Sequence, residues 1–219
     1  MTGTDTGVGK SVVAAAICAS LTARGMRVAA FKPVVTGLEQ TPSASWPADH
    51  ELLAAAAGGR QTPGEVTPYT FCKPVSPHLA SELEEKAIDP TRVVAAARAV
   101  ADGADVLVCE GVGGLLVPIT IDLSVRDLAV DLGLPVVVVA RTGLGTISHS
   151  LLTVEAARAA GLRVAGVVMS PWPERPGPIE TSNRATVEQL AAVRVSPMPW
   201  TSPAELAAAG DTLPIDDWL

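Results

Sequence analysis

The sequence predicts an α/β fold: a doubly wound, mostly parallel sheet with helices on both faces, three layers (αβα), forming one domain over residues 1–219. Three observations predict it. Short β-branched runs alternate with Ala-rich helical stretches, which is the pattern of right-handed strand–helix–strand crossovers. The strand candidates after the first are almost continuously apolar, as strands buried on both faces of a parallel sheet are. A glycine-rich turn opens the first helix.

In chain order, the turn Gly3–Gly9 leads into a helix over Lys10–Arg24, which Gly25 stops. A strand over Arg27–Phe31 follows, then helices over Asp49–Ala57 and Pro90–Asp102. Strands over Asp105–Cys109, Pro135–Ala140 and Arg163–Met169 alternate with helices over Ser124–Leu132, Thr146–Ala160 and Thr181–Ala192. Gly161 ends the Thr146 helix in the same way as Gly25. Such sheets bind ligands beyond the carboxyl ends of their strands. One strand is short of residues. Only Met1 and Thr2 precede Gly3, so either the first strand begins upstream or Met1–Gly3 pair as a stub.

Composition narrows the function. The chain is 48% hydrophobic, enough for a sizeable core and too much for a disordered protein. Its uncharged apolar runs, such as Leu134–Ala140, are far short of the ~20 residues a membrane helix needs, and no leader pattern is visible. A net charge of −7 without a Lys/Arg cluster argues against nucleic acid as a partner, and 3% aromatics leave few platforms for bases. Cys18, Cys72 and Cys109 show no metal-ligand spacing and read as reduced core residues of a cytoplasmic protein.

Gly3-Thr-Asp-Thr-Gly-Val-Gly-Lys-Ser11 reads as a phosphate-binding loop, which places the fold among P-loop NTPases. Consecutive backbone N–H groups cradle phosphate oxygens, and the following helix points its positive end at the anion. Lys10 would bridge the terminal phosphates and the Ser11 hydroxyl would ligate Mg²⁺. The first glycine stands one place early, with Thr4 in its usual position. Glu110, at the carboxyl end of an apolar strand and before a glycine turn, suits a hard divalent cation near that loop. Lys32 ends its strand before Pro33; alone it reads as a solvated lysine, but beside the phosphate loop it would aim an ammonium at the same cleft. Asp49 opens a helix and, taken alone, reads as its N-cap. His50, His78 and His149 are scattered and form no metal set.

Set out in order, Thr2-Gly-Thr-Asp-Thr-Gly-Val-Gly-Lys-Ser11, Phe31-Lys-Pro-Val-Val-Thr-Gly37, Pro68-Tyr-Thr-Phe71 with Ser76-Pro-His78, and Glu110-Gly-Val-Gly-Gly114 resemble the dethiobiotin synthetase family over nearly the whole chain. The resemblance implies a homodimeric enzyme that closes the ureido ring of dethiobiotin from 7,8-diaminopelargonate, CO₂ and a nucleoside triphosphate, with Mg²⁺. It implies catalytic roles for Lys10 and Lys32, and Mg²⁺ ligation by Ser11, Asp49 and Glu110. The triphosphate would be held by Gly7, Val8, Gly9, Lys10, Ser11 and Val12, with Asp49, Glu110, Gly111, Val112 and Gly113. Thr36 would contact the substrate. Leu144, Gly145, Thr146 and Ser148 match the helix start that receives the substrate carboxylate across the dimer interface, and a helix N-terminus suits an anion.

The base site departs from the family. An Asn-Asp pair is expected after the strand over Arg163–Met169, but Ser170-Pro171 stand there; Pro199, Trp200 and Thr201 match the second contact. A hydroxyl cannot match adenine's edge bidentately as an amide does, so CTP or another triphosphate is expected to compete with ATP. Three other readings are weaker. A partition or septum-positioning ATPase carries a signature lysine where Asp5 stands, and membrane attachment would need an amphipathic terminal helix that the sequence lacks. A glutamine-dependent synthetase of the cobyrinate type needs a further amidotransferase domain. A plain nucleotide-binding module would not turn over with diaminopelargonate.

Overall fold

A computed structural model describes residues 1–39 and 46–219. The amino-terminal half runs β1 (Thr2–Gly3), α1 (Lys10–Ala23), β2 (Val28–Phe31), β3 (Val34–Val35), α2 (Asp49–Ala56), α3 (Pro63–Val66), β4 (Tyr69–Thr70), α4 (Pro77–Leu83) and α5 (Pro90–Ala101). There follow β5 (Val106–Cys109), β6 (Pro118–Thr120), β7 (Leu123–Ser124), α6 (Val125–Leu132), β8 (Val136–Ala140) and α7 (Thr146–Ala159). The chain ends with β9 (Val164–Trp172), α8 (Pro178–Ala191), β10 (Val195–Pro199) and α9 (Leu206–Asp211).

The central sheet is parallel. β1, β8, β9 and β10 pair side by side in that order, and β2 pairs with β5. Met1 joins the two parts: its ammonium donates to the Cys109 carbonyl at 2.5 Å, and the Gly111 N–H donates to the Met1 carbonyl at 2.9 Å. The resulting order is β2-β5-β1-β8-β9-β10. Thr2 and Gly3 thus pair with β8 as a short stub, one of the two arrangements expected for the first strand. Below this stub, at the amino edge of the sheet, a cavity of about 530 Å³ opens between β5 and β8. The Met1 ammonium is buried there, and loss of solvation holds its pKa below the ordinary α-amino value.

The apolar runs are explained by the pleat. In β8, Val137 and Val139 pack toward α1, while Val136, Val138 and Ala140 pack with Val154 of α7 and Val187 of α8. In β5, Val108 faces the α1 layer and Leu107 faces α5 and α6. Helices α1, α2 and α9 therefore cover one face, and α5 to α8 the other. Small side chains make the α1–α9 contact: Ala14, Ala15 and Ala16 are fully buried, and a Cβ on Gly210 would lie 2.2 Å from the Ala16 carbonyl oxygen.

Each predicted helix and strand is present, with ends shifted by a few residues. α8 begins at Pro178 rather than Thr181, because proline suits the first helical position and Glu180 reaches back to the Gly177 N–H at 2.8 Å. β9 runs past Met169 to Trp172, through a cis Ser170–Pro171 peptide. The sequence reading missed α3, α4, α9, β10, the parallel β3–β4 pair and the β6–β7 hairpin, and Cys72, expected in the core, is exposed because it follows the short β4 in a surface turn. The β10 run Val-Ser-Pro-Met-Pro carries two prolines, which mask a strand that pairs with β9 as far as Pro199.

Candidate active site

The loop between β1 and α1 wraps the start of α1, with Gly9 as its N-cap in the left-handed region at φ +88°. Lys10 folds back across the loop and donates from Nζ to the Asp5 carbonyl at 2.8 Å. This fold-back requires the early glycine of the motif. A Cβ on Gly3 would lie 2.8 Å from Lys10 Nζ and 2.9 Å from the Asp5 oxygen. Burial pulls the Lys10 ammonium below the ordinary lysine range; the Glu110 carboxylate opposes this, and the Lys32 ammonium adds to it.

Lys32 follows β2 directly, its N–H donating to the Val66 carbonyl at 2.9 Å and its carbonyl accepting from the Thr67 hydroxyl at 2.9 Å. Its buried Nζ donates to Asp49 Oδ2 at 2.5 Å and to Glu110 Oε1 at 2.8 Å. Burial alone would lower this ammonium, but the two carboxylates more than offset it and hold its pKa above the ordinary value. Glu110 follows β5 and is fully buried. Its Oε1 also accepts from Ser11 Oγ at 2.8 Å, while its buried Oε2 has no hydrogen-bond partner among the described residues.

Asp49 is the first residue of α2 and not its N-cap. Ala48 takes the cap position and Glu51 Oε2 accepts from its N–H at 3.2 Å, so the Asp49 carboxylate is left for Lys32. Burial pushes Asp49 up, yet the Lys32 ammonium overrides it and the net shift is downward.

Gly7, Gly9, Lys10, Ser11, Val12, Lys32, Thr36, Asp49, Glu110, Val112 and Gly113 line one cavity of about 400 Å³, together with Trp46 and Pro47. Val8 instead packs in the α1 core, and the Gly111 N–H is engaged by Met1. Two ammonium groups and two carboxylates meet there, so the cluster is close to neutral and a polyphosphate would arrive with its own charge largely uncompensated. A divalent cation fits that balance. Ser11, Asp49 and Glu110 are hard oxygen donors, and Glu110 Oε2 has no partner among the described residues. Among the described residues no group of three or more His, Cys, Asp or Glu side chains gathers. This donor set suits Mg²⁺, which keeps waters and substrate phosphates and needs only one or two carboxylates.

Ser170 lies buried at the carboxyl end of β9, its Oγ 3.4 Å from where a Cβ on Gly9 would sit. Next to it, Pro199 at the end of β10 pairs with Trp172; Trp200 beyond is exposed and Thr201 is buried. These residues share the phosphate loop's edge of the sheet but stand outside the 400 Å³ cavity. Leu144, Gly145, Thr146 and Ser148 also stand outside it, around the start of α7, with Leu144 83% exposed.

Sequence reasoning missed two features here. Arg141, at the end of β8, donates to Asp5 Oδ2 of the phosphate loop at 2.7 Å. Asn183, buried within α8, donates from Nδ2 to the carbonyls of Thr142 and Gly143 at 2.9 and 3.1 Å. An asparagine inside a helix is a weak helix former, and that misfit was the one available signal.

A family model described as an AAA domain matches residues 1–198. Among curated relatives, the ATP-dependent dethiobiotin synthetase BioD of Anaeromyxobacter dehalogenans is 43% identical over 190 residues, 87% of this chain and 83% of that protein. The protein of the same name from Bacillus licheniformis is 37% identical over 194 residues, 88% of this chain and 81% of its own. Among solved structures, a ParA family ATPase from Chlorobium tepidum TLS covers 96% of this chain and 88% of its own with a TM-score of 0.55 at 12% identity. The septum site-determining protein MinD from Pyrococcus horikoshii OT3, complexed with Mg-ADP, covers 100% of this chain and 86% of its own with a TM-score of 0.51 at 17% identity. Identities that low show a shared fold alone.

Proposed function

The chain belongs to the ATP-dependent dethiobiotin synthetase family, and from that premise we propose that its 400 Å³ cavity joins 7,8-diaminopelargonate and CO₂ at the expense of ATP. The product is the ureido ring of dethiobiotin, which makes the protein a cyclo-ligase of biotin biosynthesis. The observation that carries the reading is the buried Lys32 ammonium, held between Asp49 and Glu110 within reach of the phosphate-loop residues Lys10 and Ser11.

The chemistry follows from charge. One substrate amine adds to CO₂ and loses a proton, giving a carbamate. A carbamate oxygen attacks the γ-phosphorus and ADP leaves. The second amine then attacks the carbonyl carbon of the mixed anhydride, phosphate leaves, and the ring closes. Direct ring closure would expel hydroxide, a far poorer leaving group than phosphate. Negative charge accumulates first on the carbamate and then on the transferring phosphoryl oxygens. We assign Lys32 to neutralising the carbamate, and Lys10, freed from the Asp5 carbonyl, to the terminal phosphates. Mg²⁺, held by Ser11, Asp49 and Glu110, would supply further positive charge at the phosphates. Thr36 lines the same cavity and is assigned to the diamine.

Gly145 and the first turn of α7 would receive the substrate carboxylate from a second copy in a homodimer. Leu144 stands exposed at that turn, and the exposed Leu116 and Leu152 flank a groove beside Thr4–Thr6, an apolar surface that dimerisation would cover. Phosphate release by the purified protein with Mg-ATP and bicarbonate, with and without diaminopelargonate, tests the reading. Release is expected only with the diamine, and an unchanged rate without it would sink the synthetase assignment.

A further inference from the structure

The loop from Arg141 to Gly145 sets how the first turn of α7 faces outward, and two side chains hold it from behind. Thr146, fully buried, donates from Oγ1 to the Arg141 carbonyl at 2.6 Å. Asn183 reaches across from α8, and its one amide nitrogen donates to two consecutive carbonyls, Thr142 at 2.9 Å and Gly143 at 3.1 Å. The asparagine is only 7% exposed, so its amide has been taken out of water to make these contacts. Backbone carbonyls repel an approaching anion, whereas the unpaired N–H groups of a helix's first turn attract it. Turning two carbonyls toward α8 therefore decides whether this helix start meets a carboxylate with its donors or with its acceptors.

We propose that Asn183 is a positioning residue for the carboxylate of the diamine substrate, acting through the Thr142–Gly143 backbone without touching the substrate. The proposal rests on the reading of Leu144, Gly145, Thr146 and Ser148 as the carboxylate seat. Losing two hydrogen bonds of this kind allows a drop of about 5- to 100-fold in an equilibrium they control. The Asn183→Asp substitution keeps the shape but replaces the donor with an anion that repels both carbonyls. Asn183→Ser removes the reach and keeps a polar group, and it provides the same reading if the first variant does not fold.

The experiment compares diaminopelargonate with 2,3-diaminononane, the same diamine with a methyl group in place of the carboxylate, in wild type and in each variant. We expect wild type to favour the acid. In the variants KM for diaminopelargonate should rise about 10-fold or more, with kcat and the KM for ATP within about threefold. Activity on diaminononane should be unchanged. A variant that loses equally on both diamines overturns the role of Asn183 while leaving the carboxylate seat in place. Wild type that fails to distinguish the two diamines overturns the seat itself, and the proposal with it.

Discussion

At the carboxyl edge of the sheet a cavity of about 400 Å³ gathers Lys10, Ser11, Lys32, Asp49 and Glu110. At the amino edge of the same strands a larger one, about 530 Å³, is lined mainly by apolar groups such as Ile17, Val106, Val137 and Trp218. The larger hollow has the poorer chemistry, and strand polarity explains why. Parallel strands bring all their carboxyl ends, and the positive starts of the following helices, to a single edge. Lys32 and Glu110 each stand one residue past a strand end there, on the adjacent strands β2 and β5. The amino edge receives helix ends, and apart from the buried Met1 ammonium its charges lie in solvent: Arg27 and Asp105 pair there at 2.6 Å.

The largest effect should separate the two edges. Trp218 is 5% exposed, lies against Gly166 and lines the amino-edge cavity. Trp218→Ala removes a large buried ring beside an existing void, which typically costs about 3–5 kcal/mol. In a chain of this size that amounts to a fall of roughly 10 °C in melting temperature. Turnover per folded molecule should stay within about twofold of wild type. A selective loss of kcat in the folded variant would mean that the amino edge shares in the chemistry.

Lys32→Gln comes next and should behave in the opposite way. It removes a charge used where negative charge develops, an effect worth about 100- to 1000-fold in kcat. Retained turnover within about threefold would remove Lys32 from the mechanism.

Acid, base and salt sharpen the contrast further. The Asp49 pKa is lowered in the fold, so its pairing stabilises above the unfolded carboxyl value of about 3.9 and is lost as pH falls through the lower folded value. The Lys32 pKa is raised, so its contribution is complete below about 10.4 and is lost as pH rises through the higher folded value. The difference in urea midpoint between wild type and Lys32→Met should therefore be flat from about pH 5 to 9. At the amino edge the Arg27 hydrogen bonds hold Asp105 at about 2, which gives the same acid sign. That exposed pair should fade between about 0.1 and 1 M salt, as the screening length drops from roughly 10 to 3 Å. The buried cluster should not. Asp105→Asn and Lys32→Met unfolded at both salt levels make the comparison, and equal salt sensitivity would remove the distinction.

What the sequence made legible follows the same division. The phosphate loop, Lys32 and Glu110 are local patterns at strand ends, and strand polarity alone sends them to one place. Asp49 was different: by itself it read as a helix cap, and only Ala48 with Glu51, which settle the cap between them, leave its carboxylate for Lys32. Asn183 and the Arg141–Asp5 pair were not legible, because each joins residues about 40 or 136 positions apart with no spacing rule between them. The amino-edge cavity and α9 escaped for a related reason. α9 fits because Gly210 allows its backbone to approach Ala16, a contact that neither segment announces by itself.

The smallest predicted effect lies where the charged cavity gives way to the base. Ser170 and Pro171 lie near the end of β9 beside the phosphate loop, and Pro199 ends the neighbouring β10, followed by Trp200 and Thr201. One serine hydroxyl offers a single donor and cannot match two positions on adenine's edge as an amide would. Proline has no N–H to add, and Trp200 is 75% exposed. A hydrogen bond of the kind missing here contributes about 0.5–1.5 kcal/mol, so discrimination should fall by roughly two- to tenfold from its absence. The phosphates remain held by the loop whatever base follows them. CTP or another triphosphate should therefore support turnover within about tenfold of ATP, and Ser170→Asn should widen the gap in favour of ATP. Initial rates with ATP, CTP, GTP and UTP at matched Mg²⁺ decide the matter. A preference for ATP beyond about a hundredfold would place the adenine contact on groups other than Ser170 and the β10 end, and would extend the polar edge further than its charges do.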